Sequence, residues 1–224
     1  MYISVLYNQS TLSDITNLIQ TDTAKQPKLD LSTFDIDFGT GTNTWYLYAE
    51  DATKLKIAEG ADNYSYAGTM TPSFTSASAG VMGFWPGDIT HRTSMFYLYH
   101  DGSNGKGGLV GHSNDTWNST HFSWTSNTTY NFAMSIDNTN SSNVTFFKNG
   151  DNGDTRATNN GASNLNLLPT EFYVGTFNTG TGNKFGGKMD NIVILNKSLI
   201  DILSILSALI FDPWSTSFIF LFKT

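Results

Sequence analysis

Two aspartates one residue apart, in Phe34-Asp35-Ile36-Asp37-Phe38, are the first side chains whose spacing permits chemistry. Alternate residues of an extended strand share a face, so Asp35 and Asp37 project together, as a carboxylate pair for acid–base hydrolysis must. The same alternation sends Phe34, Ile36 and Phe38 to the opposite face. That favours a half-buried strand with its polar side in water. The four histidines, His91, His100, His112 and His121, form no His-Glu-x-x-His zinc pattern, and no Gly-x-Ser-x-Gly elbow is present. Gly105-Lys106-Gly107-Gly108 lacks the Gly-Lys-Ser/Thr ending of a phosphate loop and reads as a turn. No catalytic constellation emerges.

Recognition has better material. Sugar binding needs an aromatic platform with amide or carboxylate groups beside it. Trp117 stands among Asn114, Asp115 and Asn118 in a loop-like stretch, His112 to Trp124. Those four are the candidate carbohydrate-binding residues. The competing reading packs Trp117 in the core, where Trp124 is expected.

The elements that must position these residues are strands. Of 224 residues, 39% are hydrophobic and 14% aromatic, but only 14% are charged, so the polar surface must come from Asn, Thr, Ser and Gly. Those residues favour turns and strand edges over helices. Short alternating segments recur at 34–38, 45–48, 54–57, 81–85, 95–99, 109–110, 121–124, 130–136, 144–147, 171–175 and 189–195. Turn pairs stand between several of them, at Asp101-Gly102, Asn149-Gly150, Asn152-Gly153 and Asn160-Gly161. Many brief strands with frequent turns predict an all-β, two-sheet antiparallel sandwich. Ile192 and Ile194 should face one way and Val193 and Leu195 the other, so that strand should be covered on both sides.

The ends depart from the pattern. Residues 1–30 form an N-terminal segment packed on or linking to the sandwich of residues 31–197. Within it, Ser13 to Ile19 reads as a short helix capped by Ser13. Residues 198–224 form a C-terminal unit. There Ser198-Leu199-Ile200-Asp201 resembles a capping box, Leu199 to Phe211 reads as a helix, and Asp212-Pro213 stops it. Asp201, Asp212 and Pro213 interrupt the apolar run before it reaches the roughly 20 residues a bilayer needs, so no membrane span is expected. The tail Phe218-Ile219-Phe220-Leu221-Phe222 is apolar on both faces and must be buried, in its own domain or against a neighbour. Phe218, Phe220 and Phe222 are therefore candidate assembly contacts.

Net charge is −7, and no Lys/Arg cluster exists, which argues against nucleic-acid binding. There are no cysteines, hence neither a disulfide framework nor a thiolate metal site. The opening residues lack a basic stretch and a long apolar run, so no signal peptide is expected. The eight Asn-x-Ser/Thr triplets then read as chance products of an Asn-, Ser- and Thr-rich chain.

The run from Tyr130 to Asp137, then Val144 to Gly150, Phe172 to Gly175, Phe185 to Leu195 and Ser198-Leu199, resembles the C-terminal half of laminin-G-like, concanavalin A-like jelly-roll domains. Asp212-Pro213-Trp214 is similar to an ending of such domains in phage and marine microbial proteins. The resemblance covers about the last two-thirds of the chain, on the order and spacing of four elements. It departs from the pattern in the first 80 residues and beyond Trp214. It implies a lectin-like, non-catalytic fold that also hosts glycoside hydrolases, although their Glu-x-Asp-x-x-Glu string is absent. It also implies a Ca²⁺ ion bound in loops, for which Asp101, Asp151, Asp154 and Asp190 are the nearest ligands; no other cofactor is indicated. The expected role is a bacteriophage virion surface protein, for capsid decoration or glycan attachment. Its partners would be other virion proteins, a second copy through the C-terminal tail, or cell-surface glycans. The alternatives are a glycoside hydrolase and a secreted or cell-surface adhesion module on the same fold.

Overall fold

The computed structural model describes residues 1–2, 5–6, 16–40, 45–55, 64–73, 79–84, 94–101, 104–110, 118–119, 124–137, 143–149, 151–157, 172–176, 184–195 and 220–222. In chain order the strands are β1 (Val5–Leu6), β2 (Leu18–Ile19), β3 (Lys28–Leu29), β4 (Ile36–Thr40), β5 (Leu47–Ala49), β6 (Tyr64–Pro72), β7 (Ala79–Phe84) and β8 (Ser94–Asp101). There follow β9 (Asn104–Val110), β10 (Asn118–Ser119), β11 (Tyr130–Asp137), β12 (Asn143–Lys148), β13 (Asp151–Ala157), β14 (Phe172–Val174), β15 (Gly186–Leu195) and β16 (Phe220–Phe222). The described helical turns are two short 3-10 segments, Thr23–Lys25 and Ala52–Leu55.

These strands make two sheets. Sheet I runs β13-β12-β11-β6-β15-β4-β3, with β16 added beside β15, and sheet II runs β1-β2-β5-β14-β7-β8-β9-β10. Every described strand pairing is antiparallel except that of β15 with β16, which is parallel. The core lies between the sheets and is aromatic. Tyr66 of sheet I meets Phe172 of sheet II at 5.5 Å between centroids, and Phe132 of sheet I meets Phe96 of sheet II at 4.6 Å. Both distances fall in the range where aromatic pairs gain beyond simple burial. Trp124 is buried with them, as expected.

Residues 1–2 and 5–6 join the two sheets along one side. Tyr2 bridges Lys28 of β3, and the Leu29 amide donates to the Met1 carbonyl at 2.7 Å. A few residues on, Val5 and Leu6 pair with β2 in sheet II. The expected helix over 13–19 is corrected at its described end, where Leu18 and Ile19 are a strand. One short helix gains little in water, whereas pairing with β1 and β5 satisfies this backbone and buries Leu18.

Other expectations are corrected by local turns or by strand pairing. Phe34 leaves the face of Ile36 and Phe38, because its amide closes a turn on the Asp30 carbonyl at 2.7 Å with φ at 62°. Its ring is exposed. Lys54 and Leu55 belong to a 3-10 turn, begun by Asp51 accepting from the Thr53 amide at 3.1 Å, not to a strand. Gly105 to Gly108 is strand β9, paired along β8, rather than a turn. Asn152-Gly153 lies inside β13, where the register with β12 shifts, while Asn149 holds the turn at φ 53°. The helix expected over 199–211 lies outside the described residues, as does the Asn160-Gly161 turn.

Strand β15 carries the feature that organises sheet I. Its register with β6 shifts between Asp190 and Val193, and Asn191 takes φ 49°. An extra residue in one strand is a β-bulge. A strict two-residue period cannot place Met189 and Ile192 on one face; the bulge does, and both enter the core with Ile194. Asp190 supports the turn, accepting from the Asn191 amide at 2.7 Å and its Nδ2 at 3.1 Å.

The outer face of sheet I is divided in two. On one half Ser65, Ala67, Ala133, Ser135, Phe147 and Val193 are buried, although they point away from the inter-sheet core. On the other half Thr69, Thr71, Thr129 and Asn131 reach solvent. Among the described residues, that second half is the open one.

Val193 to Leu195 pair with Phe220 to Phe222, which places the described part of the apolar tail in its own sheet. Deleting residues 215–224 removes β16 and leaves that stretch of β15 paired on one side only, with β6. The expected cost is about 2 kcal/mol, a few backbone hydrogen bonds, together with self-association at the bared edge. Sedimentation of the full and shortened chains checks this. Conversion of a full-length dimer to a monomer would instead assign the tail to a neighbour contact.

Candidate functional site

The open half of sheet I carries a row of polar side chains in register. Thr71 of β6 lies opposite Lys188 of β15, Lys188 opposite Asp37 of β4, Asp37 opposite Lys28 of β3, and Lys28 opposite Tyr2. Thr129 extends it, its hydroxyl 2.8 Å from that of Thr71. At one strand spacing per step the row is about 20–25 Å long. Beside it runs a second rung, Asn131 and Thr69 joined at 3.0 Å, with Asp190 opposite Thr69. Hydroxyl, amide, ammonium and carboxylate groups thus line one exposed track.

The track ends on two aromatic rings. Tyr2, 56% exposed, meets Trp45 edge to face, with centroids 6.3 Å apart and planes at 89°. The Lys28 ammonium lies 5.3 Å from the Tyr2 centroid and 4.9 Å from that of Trp45, within cation–π range of both. Three chain segments build this corner. The N-terminal strip presents Tyr2 and β3 presents Lys28. Trp45 precedes β5, where the Tyr46 amide donates to the Lys25 carbonyl at 3.1 Å and Gln20 Nε2 donates to the Tyr46 carbonyl at 3.2 Å.

Charge along the track is uneven. Lys188 is tied to Asp30 at 2.6 Å. This contact raises the Lys188 pKa and, with the Ser32 hydroxyl and amide, holds the Asp30 carboxyl far below the usual range. Asp37 accepts from the Gly39 amide at 2.7 Å. Lys28 makes no ion pair among the described residues. Asp35 accepts from the Thr33 hydroxyl at 2.6 Å. Asp35 and Asp37 therefore each support their own turn.

The residues singled out from sequence lie elsewhere. Trp117, Asn114 and Asp115 fall outside the described residues, as does Phe218. Asn118 is not in a loop but in β10, at the edge of sheet II, on the rung that also carries Val110, Ser94, Phe84 and Phe172. Phe220 and Phe222 are in β16. Asp101 ends β8 in sheet II, while Asp151 and Asp154 lie on β13, at the opposite end of sheet I from β3. Four strand spacings, about 19 Å, separate β13 from Asp190 on β15. No group of three metal-ligating side chains occurs among the described residues.

Sequence reasoning missed the Tyr2–Lys28–Trp45 corner. Its three members are brought together only by strand pairing. The available signal was Trp45, two residues beyond the Gly-, Thr- and Asn-rich run from Gly39 to Asn43.

No family model and no curated protein matches the chain. Solved structures are similar in shape. A botulinum neurotoxin serotype C1 binding domain aligns over 93% of this chain and 52% of its own, at TM-score 0.58 and 10% identity. Domain 4 of AbnA, an extracellular GH43 arabinanase from Geobacillus stearothermophilus, was solved with arabinotriose. It aligns over 84% of this chain and 79% of its own, at TM-score 0.51 and 14% identity. A heptameric SAP-like pentraxin from Limulus polyphemus aligns over 77% and 75%, at TM-score 0.53 and 8% identity. The chain spans about half the length of the neurotoxin domain. At these identities the likeness establishes the lectin-like β-sandwich fold.

Proposed function

We propose that this protein is a non-catalytic carbohydrate-binding module whose sugar-facing surface is the open half of sheet I. The observation that carries the reading is the polar row from Thr129 to Lys28, ending on the rings of Tyr2 and Trp45. Sugars offer hydroxyls to polar groups and C–H faces to aromatic rings, and a track crossing several strands suits an extended chain. The arabinotriose complex of the similarly folded arabinanase domain supports the same ligand class. A second patch, Trp117 with Asn114, Asp115 and Asn118, has the right composition and belongs to the proposal. The setting we propose is a virion surface, with an extracellular or cell-surface module as the alternative. That part rests on the low-charge Asn/Thr/Gly-rich surface and the apolar tail, and immunodetection on purified particles tests it.

A glycan array followed by titration of the best ligand tests the binding role. Trp45→Ala and Tyr2→Ala are each expected to weaken binding by about tenfold or more, the loss of an aromatic anchor. Loss in Trp117→Ala alone would move the site to residues 114–118. Silence across the array would remove the carbohydrate reading, and release of reducing ends from a polysaccharide would replace it with a glycanase.

A further inference from the structure

We infer that the aromatic corner selects sugars bearing a carboxylate, with Lys28 as the residue that reads the negative charge. The inference rests on the carbohydrate reading above and specifies its ligand.

The two lysines of the track differ in one respect. Lys188 is neutralised by Asp30 at 2.6 Å. Lys28 faces Asp37 across the β3–β4 pair, yet Asp37 directs an oxygen to the Gly39 amide at 2.7 Å, and the described ion pairs are Lys25–Asp22 and Lys188–Asp30. The surroundings of Lys28 are instead two ring faces, with its ammonium about 5 Å from each centroid. Rings fix the position of an ammonium without neutralising it, so its outer side remains a donor for an anion. In a chain of net charge −7, this is a local positive spot placed where a sugar ring would stack. A neutral sugar has no use for the charge. A uronic or sialic acid would lay its ring against Tyr2 and bring its carboxylate to Lys28, a charge-assisted hydrogen bond roughly twice as strong as a neutral one.

Matched ligands separate charge from shape. Polygalacturonate and its methyl ester share a backbone and differ in the carboxylate; sialyllactose and lactose differ in one acidic residue. Binding of the full chain to each is measured by calorimetry at low and moderate salt. The expected result is preference for the acidic member by about tenfold, weakening as salt rises. Lys28→Gln should abolish the preference, while Lys28→Arg should retain it; circular dichroism checks that both variants fold. Equal affinity for acidic and neutral members, or a preference unchanged in Lys28→Gln, overturns the charge reading and leaves carbohydrate binding standing. Failure of every acidic sugar while neutral ones bind has the same meaning. Failure of all sugars, acidic and neutral, removes both.

Discussion

Replacing Gly187 by alanine is expected to destabilise the fold by about 3 kcal/mol or more, because the site combines a forbidden backbone angle with backbone neighbours that cannot move aside. Gly187 has φ 125°, which side-chain-bearing residues rarely adopt. A Cβ there would press on the Thr71 carbonyl oxygen, 2.9 Å from the Ser73 nitrogen and 3.0 Å from Pro72 Cα. All three atoms belong to the backbone around the end of β6, and the Ser73 amide donates to the Gly186 carbonyl at 2.9 Å. Relief would require parting β15 from β6 at the start of the longest described strand. The effect would reach the binding surface, since Lys188 and Thr71 are the next members of the polar row. Gly68→Ala is the graded comparison. Its Cβ would meet the Phe132 ring at 3.1 Å and the Asp190 carbonyl at 3.2 Å, at an ordinary backbone angle, so a smaller loss of about 1 kcal/mol is expected. Urea unfolding followed by tryptophan fluorescence measures both. Equal midpoints for Gly187→Ala and the parent would contradict the close approach of β15 to β6.

The pair Gly186-Gly187 shows how far sequence carries such a conclusion. Two glycines before an apolar run signal a bulge or a close approach, and the register of β15 with β4 does shift there. Asn149-Gly150 likewise announces a hairpin, and Asn149 takes the positive φ it needs. These signals are local: the residue that must adopt an unusual angle is itself the unusual residue. The binding surface was less legible. Lys28, Asp37 and Lys188 look like scattered charges until three strands align them, and Tyr2 acquires meaning only when its backbone pairs with β3. Phe34 illustrates the opposite failure. Its period-two spacing to Ile36 and Phe38 promised a core position, but a hydrogen-bonded turn from Asp30 set its backbone instead. The bulge at Asn191 lies between these extremes. Met189 and Ile192 sit three apart on one strand, and only an inserted residue lets both face inward.

Lys184 leads to the second large effect, a dependence of stability on pH that one substitution should erase. The residue lies between Thr176 and Phe185, bridged to both Gly80 and Thr176, and is 5% exposed. Its ammonium donates to the Thr176 hydroxyl at 2.8 Å and lies 4.9 Å from the Tyr46 centroid. Burial pushes its pKa down to about 8, and the charge of Lys25 acts in the same direction. Below pH 8 the amine is protonated in both folded and unfolded chains, so the cost of burying the charge is felt in full. Between pH 8 and the ordinary lysine value near 10.5 the folded amine releases its proton first. The unfolded chain then binds more protons, and stability rises with pH. Above that range both forms are neutral and the cost is gone. Lys184→Met keeps the length of the side chain and removes the charge. The variant is therefore expected to exceed the parent at pH 7 by on the order of 2 kcal/mol. That margin should shrink steadily from pH 8 to 10.5. Taking the difference between the two proteins at each pH cancels the titration of tyrosines common to both. A margin constant across that range would mean that the folded amine keeps an ordinary proton affinity, and a margin growing with pH would reverse the sign of its coupling to folding.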